Sequence, residues 1–363
     1  MKLFLLNYFL IALSCTFLAQ LKPGFDILEF KEMLLISAQT NADSIQKQDY
    51  ELPQNYQKSY SSDTVGFDNL WELWIGNQTA VISIRASTNK EISWLADFQS
   101  TMTAAQGSTA LSKSIQFDYK LANSSKALVH TGWLLSMGYL SSDIEKKVKE
   151  LALSGINNVI ITGHSQGGAI AMLLRSYLND LQKQGRISES LVFKVYCSGT
   201  PKVGNLFFAY EYERITAGGW AYNVINTDDW VPETPVSIQR LKDFNEVNIF
   251  SSAKKDINQQ PYFKRQLFKL LYKKLNNPTK KAEKKYSNLL GKRVSARVHK
   301  TLPELSIPPN AHSFDYVRIG TSKLLFPNAD YYNCFPKISD DVFIHHSYEP
   351  YIYLTEQEIL LKK

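Results

Sequence analysis

The segment Gly163-His164-Ser165-Gln166-Gly167-Gly168 constrains this chain more than any other. It follows the short β-branched run Asn158-Val159-Ile160-Ile161-Thr162 and precedes Ala169 to Leu178, whose apolar residues recur at helical spacing. A strand, a tight turn and a helix therefore meet at Ser165, the context in which G-x-S-x-G raises a nucleophile above a sheet. The serine of such a turn sits in a strained backbone conformation. Its neighbours two positions away must be small, or their side chains would strike the adjacent strand and helix. The helix start turns its positive end toward the serine and favours negative charge there. The plain alternative is an ordinary Gly-rich turn, and the flanking strand, the helix and the second glycine argue against it.

The rest of the chain fits an α/β protein with a mostly parallel central sheet flanked by helices. Further strands are expected at Ala80–Ile84, Leu191–Tyr196, Tyr222–Ile225 and Tyr316–Ile319, separated by helical segments. Residues 26–40 have the spacing of an amphipathic helix, and 41–60 read as loop. At 44% hydrophobic and 21% charged the chain is no disordered polymer, and 17 glycines and 13 prolines exclude a collagenous one. Three cysteines exclude a dense disulfide scaffold; Cys197 and Cys334 could form one bridge in an exported protein. Residues 1–20 read as an export signal, with Lys2 ahead of the apolar run Leu3–Leu13 and small residues Ala12, Ser14, Cys15 and Ala19 behind it. A secreted, periplasmic or envelope-bound protein is the expectation, with lipoprotein attachment through Cys15 as a further reading. The remainder, 21–363, reads as one domain.

A serine needs a base, and the base needs a carboxylate to orient it. In this fold the order is serine, acid, histidine. Two neighbouring acids, Asp228 and Asp229, follow the strand that ends at Ile225, and spacing alone does not separate them. Among six histidines, the adjacent pair His345 and His346 lies after a polar loop near the C-terminus and suits the role; the residues alone leave the pair undivided. His312 reads as structural.

Four ordered blocks resemble the class 3 lipases, a fungal-lipase-like branch of the α/β-hydrolases. They are Ile82-Ser83-Ile84-Arg85-Ala86-Ser87, the turn at 163–168, Ser198-Gly199-Thr200-Pro201-Lys202-Val203-Gly204-Asn205, and Asn226-Thr227-Asp228-Asp229-Trp230-Val231-Pro232. The resemblance implies Asp229 as the acid, two residues before Val-Pro. It implies His346 as the base, five residues before Tyr351. It also implies an oxyanion hole from the backbone N–H of Gln166 and from Ser87, by backbone N–H and hydroxyl. Ala86 departs from the family's glycine, a costly change only if that position needs positive φ. Arg318 stands where the family often has a structural histidine.

The resemblance thus implies an exported serine hydrolase that cleaves carboxylic esters of lipids through an acyl-enzyme, as a triacylglycerol lipase or esterase. Phospholipase or acyltransferase activity on the same site is the alternative, as is a non-catalytic lipid- or envelope-binding protein. The chemistry requires no cofactor and no metal, and no obligate protein partner is implied. An amphipathic lid is expected at Glu91–Phe98, with Trp94, Leu95 and Phe98 sharing one face.

One segment breaks the family pattern, a helical insert at about 251–305. Residues 251–300 hold 15 Lys and Arg against 2 acids, a balance of +13 in a chain of net +7, which leaves −6 for the rest. Phe263, Leu267, Leu270, Leu271 and Leu275 form a stripe in it, with Lys264, Arg265, Lys269, Lys273 and Lys274 mostly beside. Two readings stand: a cap whose cationic face docks on an anionic membrane, or a solvated insertion without a partner. No nucleic-acid module is present.

Overall fold

The computed structural model describes residues 20–41, 50–248 and 257–361. The expected leader lies outside them except for Gln20. Among the described residues a seven-stranded sheet runs in chain order: β1 (Gln57–Ser61), β2 (Trp71–Gly76), β3 (Thr79–Ile84), β4 (Asn158–His164), β5 (Val192–Ser198), β6 (Ala221–Asn226) and β7 (Thr321–Leu325). β1, β2 and β3 pair antiparallel; from β3 to β7 every pairing is parallel. The helices are α1 (Ile27–Thr40), α2 (Glu91–Phe98), α3 (Thr131–Leu153), α4 (Gln166–Lys183), α5 (Leu206–Ile215), α6 (Tyr262–Tyr286), α7 (Val294–Thr301), α8 (Ala329–Cys334) and α9 (Tyr348–Leu361).

The strands read from β-branched runs are buried on both faces, as parallel strands between helices must be. Alternation divides them. Val81, Ile160, Tyr196 and Val224 pack with α1 and α9, beside Phe30, Met33 and Leu354. Ile82, Ile161 and Val195 face the other way, onto α3 and α4. This is the α/β-hydrolase fold. Asp26 starts α1 by accepting from the N–H groups of Leu28 (2.8 Å) and Glu29 (3.1 Å).

Two expectations need correction. Tyr316–Ile319 is no strand: its backbone pairs with another segment only through the isolated bridge Val317–Gly204. Its Tyr316 and Ile319 are apolar because they are buried, without a ladder. The chain turns at Gly320 (φ 74°), and the last strand starts one residue later. The expected loop at 41–60 contains most of β1, an exposed edge strand with little apolar signal. Cys197 is buried in β5 while Cys334 is exposed, and both thiols are free.

Register decides where the site lies. Ile84 stands opposite Gly163, His164 opposite Ser198, and Ser198 opposite Val224. The carboxyl ends of β3 to β6 thus share one edge, where open α/β sheets gather their functional loops. Ser87, Ser165 and Asp229 all lie just beyond it.

The basic insert forms a helix that runs from α6 through a wider π-type turn, Ser287–Arg293, into α7. Within this helix Glu283 is buried and pairs with Arg240 and with Lys242 (3.2 Å). Beyond that tether α6 stands clear of the body: Phe263 is 87% exposed and Leu275 62%. At the other end Arg297 grips the Glu91 carboxylate with two N–H groups, at 2.6 and 3.0 Å.

The end of α2 rests on the start of α3. Gly132 approaches so closely that a Cβ there would stand 1.9 Å from the Ala96 carbonyl oxygen. His130 caps α3 by accepting from the Trp133 N–H (3.3 Å) and stacks on the Trp133 ring, with centroids 3.6 Å apart. Its Nε2–H donates to the Asp97 carbonyl (3.2 Å). Burial pushes this imidazole down to about 3. The folded protein keeps it neutral, whereas the unfolded chain takes up a proton near pH 6.5. Stability from this group is complete above that pH and falls as pH drops below it, by up to about 1.4 kcal/mol per pH unit. Urea unfolding at pH 7 and pH 5 should show a smaller acid loss in His130→Gln than in the wild type; equal losses would exclude the assignment.

Candidate active site

The turn after β4 is as tight as the glycines demand. Ser165 has φ 55° and ψ −126°, a left-handed conformation for a non-glycine residue. A Cβ on Gly163 would lie 2.4 Å from the Gly167 carbonyl carbon, and one on Gly167 would lie 2.3 Å from the Ile84 carbonyl oxygen. The Ser165 N–H donates to the Ser198 carbonyl (2.9 Å), which ties the turn to β5. The serine side chain stands where the turn opens onto a cavity of about 620 Å³.

Ser165, His346 and Asp229 meet at this edge. Ser165 Oγ lies 2.8 Å from His346 Nε2, and His346 Nδ1 lies 2.7 Å from Asp229 Oδ2. The carboxylate accepts only, so Nδ1 carries the proton and the Nε2 lone pair faces the serine hydroxyl. Asp229 is 3% exposed. Its Oδ2 also accepts from the Tyr351 hydroxyl (2.7 Å) and its Oδ1 from the Val231 N–H (2.9 Å), so the buried carboxylate is fully hydrogen-bonded. Both neighbouring alternatives point elsewhere. Asp228 accepts from the Tyr332 hydroxyl (2.8 Å), and His345 Nδ1 pairs with the Tyr331 hydroxyl (2.7 Å). His312 offers its carbonyl to Lys242. His299 sits on α7.

A second imidazole fixes the first. His164 Nε2 lies 2.7 Å from the His346 carbonyl oxygen, which accepts only, so Nε2 donates. Nδ1 then accepts from the Ser198 hydroxyl (2.9 Å). Burial and the neighbouring His346 hold His164 far below the usual range, so it stays neutral. Gly199 (φ 56°) gives both rings room: a Cβ there would stand 2.9 Å from His164 and 3.0 Å from His346.

The oxyanion candidates divide. Gln166 is the first residue of α4, where N–H groups lack helical partners. Ser87 lines the same cavity as Ser165, but its hydroxyl donates to Asp97 Oδ2 (2.8 Å). A hydroxyl has one proton, so in this arrangement only the Ser87 N–H remains to bind an oxyanion. Asp97 also accepts at Oδ1 from Trp133 (2.8 Å) and from the Gln166 side chain (2.8 Å). Burial raises the Asp97 pKa against the pull of these three donors. The residue was invisible as a site residue in the sequence, being one polar position on an amphipathic helix. Ala86 does not have positive φ, so its methyl group brings no backbone strain.

The expected lid face is only partly present. Trp94 and Phe98, four residues apart, line the cavity and stack at 6.3 Å. Leu95 is buried in the core below, because a step of one residue turns a helix by about 100° away from that face. Opposite stand Trp230 and Phe343, 5.6 Å apart, with Phe343 6.0 Å from His346. The insert supplies wall too: Tyr286 and Leu290 line the cavity, a role its lysine-rich composition concealed.

Comparison with known proteins places these residues in context. The description Lipase (class 3) matches residues 81–238. A secreted mono- and diacylglycerol lipase of Fusarium solani is 33% identical over 30% of this chain and 29% of its own length. A lipase of Rhizopus oryzae is 35% identical over 32% of this chain and 29% of its own. The chain thus spans about a third or less of these relatives. Lipase II from Rhizopus niveus superposes with a TM-score of 0.44 at 25% identity, covering 58% of this chain and 75% of that one. Residues 81–238, which hold Ser87, Ser165 and Asp229, are thus similar to the class 3 lipases.

Proposed function

We propose that this protein hydrolyses carboxylic esters of lipids with Ser165 as nucleophile. The observation that carries the proposal is the hydrogen-bonded line Ser165–His346–Asp229 opening into an apolar cavity. Ser165 Oγ attacks the ester carbonyl as His346 Nε2 takes its proton. Asp229 holds the tautomer and stabilises the imidazolium that forms. The N–H groups of Gln166 and Ser87 receive the developing oxyanion. His346 returns the proton to the leaving alcohol, and water admitted to the acyl-enzyme reverses the sequence to release the acid.

The cavity supports an acyl chain as the group bound: Trp94, Phe98, Trp230, Phe343 and Leu290 present hydrocarbon in the same cavity that Ser165 and His346 line. Glycerides are the substrate class we favour, in keeping with the relatives named as mono- and diacylglycerol lipases. Export agrees with the secreted standing in those relatives' names and with the leader-like N-terminus. Trp94 and Phe98 lie on a short helix at the cavity mouth, suited to cover it in water and to move aside at a lipid surface.

Ser165→Ala should lower hydrolysis of short p-nitrophenyl esters by at least about 10⁴-fold; equal rates in variant and wild type would end the enzyme proposal. Asp97→Asn, which turns an amide group toward Ser87, should lower kcat by about 10²-fold with little change in KM. An unchanged kcat would remove Asp97 from any part in catalysis. With α2 mobile, the rate on a sparingly soluble ester should jump as substrate passes its solubility limit; a smooth curve through that limit would mean a fixed helix.

A further inference from the structure

The free arm of the insert has a face the body leaves uncovered. From Tyr262 to Ala282 α6 has no acidic residue. On one side Phe263, Leu267, Leu271 and Leu275 recur at four-residue steps with Leu270 beside them, and all five are exposed. Arg265, Lys269 and Lys273 form the opposite side, while Lys264 and Lys274 fall within the arc of the stripe, on stems long enough to carry their charges outward. We propose that this arm is an interfacial anchor that lays its stripe on an anionic lipid surface.

Charge and apolarity together select the occupant. A second copy would bring like-charged lysines together with no carboxylate between them, a destabilising arrangement. A nucleic acid would satisfy the lysines and leave the leucines in water. An anionic bilayer satisfies both, with acyl chains for the stripe and head groups for the cations. The anchor is continuous with the site. The helix that carries Leu275 reaches Tyr286, a wall of the cavity, about 16 Å further on at the usual rise per residue. Glu283, held by Arg240 and Lys242, fixes the arm to the body beside that wall. The surface thus holds the cavity near its substrate, an inference that rests on the lipid-ester reading above.

The test uses the full chain carrying Ser165→Ala, so that vesicles are not consumed. It is sedimented with vesicles of phosphatidylcholine alone or with added phosphatidylglycerol. The expected result is binding that requires phosphatidylglycerol and weakens with salt. Lys264→Ala, Lys269→Ala and Lys273→Ala should each weaken it about fivefold. Leu267→Asp with Leu271→Asp should abolish it. In the Ser165 background the same arm variants should keep the wild-type rate on soluble esters, and helix content by circular dichroism should be retained. Equal binding to both vesicles, no binding to either, or indifference to both variant sets overturns the anchor. So does a dimer in sedimentation velocity that Leu267→Asp dissolves, because the stripe would then belong to a second copy. Failure of the hydrolase proposal shows instead as no wild-type turnover, which the sedimentation result does not depend on.

Discussion

The site depends on how closely the backbone around Ser165 can pack. Gly167 lies against the end of β3, where a single added carbon would meet the Ile84 carbonyl at 2.3 Å. That approach lets α4 begin directly above the sheet edge, and it forces Ser165 into a conformation few side chains tolerate. The strain is held by what surrounds it: buried strands on either side, the Ser165 N–H bond to β5, and α4 packed on the sheet. The exposed hydroxyl, the free N–H at the helix start and the nearness of β3's loop all follow from this one contact.

Much of this was legible because it was local. The β-branched run before Gly163 and the helical spacing after it foretold β4 and α4, and the parallel core followed from similar runs. Asp229 and His346 are 117 residues apart and meet only through the fold. Residue chemistry alone left Asp228 and His345 equally eligible, and family spacing was needed to choose. Physically, the choice lies in which neighbour each side chain finds. Tyr332 and Tyr331 occupy the rejected pair, while Tyr351 and Val231 hold Asp229. Asp97 could not be read from the sequence, since its role comes from Ser87, Trp133 and Gln166, all distant along the chain. The Tyr316–Ile319 segment misled because burial and strand pairing leave the same apolar mark.

The charge of the chain is divided as its structure is. A mildly acidic body carries a strongly basic helix, and the two meet where charges pair: Glu283 with Arg240 and Lys242, Arg297 with Glu91. The second contact joins the insert to the start of α2, the helix that carries Trp94 and Phe98. The insert and α2 are therefore linked side by side, by an exposed two-point ion pair.

The bond from His164 to the His346 carbonyl has a wider consequence. It links the turn that carries Ser165 to the backbone of His346, and the Ser198 hydroxyl holds the other side of the His164 ring. Ser165 and His346 are thus mounted on one stiff floor, while the roof above them is built from separate pieces. Movements of the roof change what can enter and leave. They leave the bond between Ser165 and His346 in place, but α2 also carries Asp97, so movement of that one piece is felt at Ser87 and Gln166.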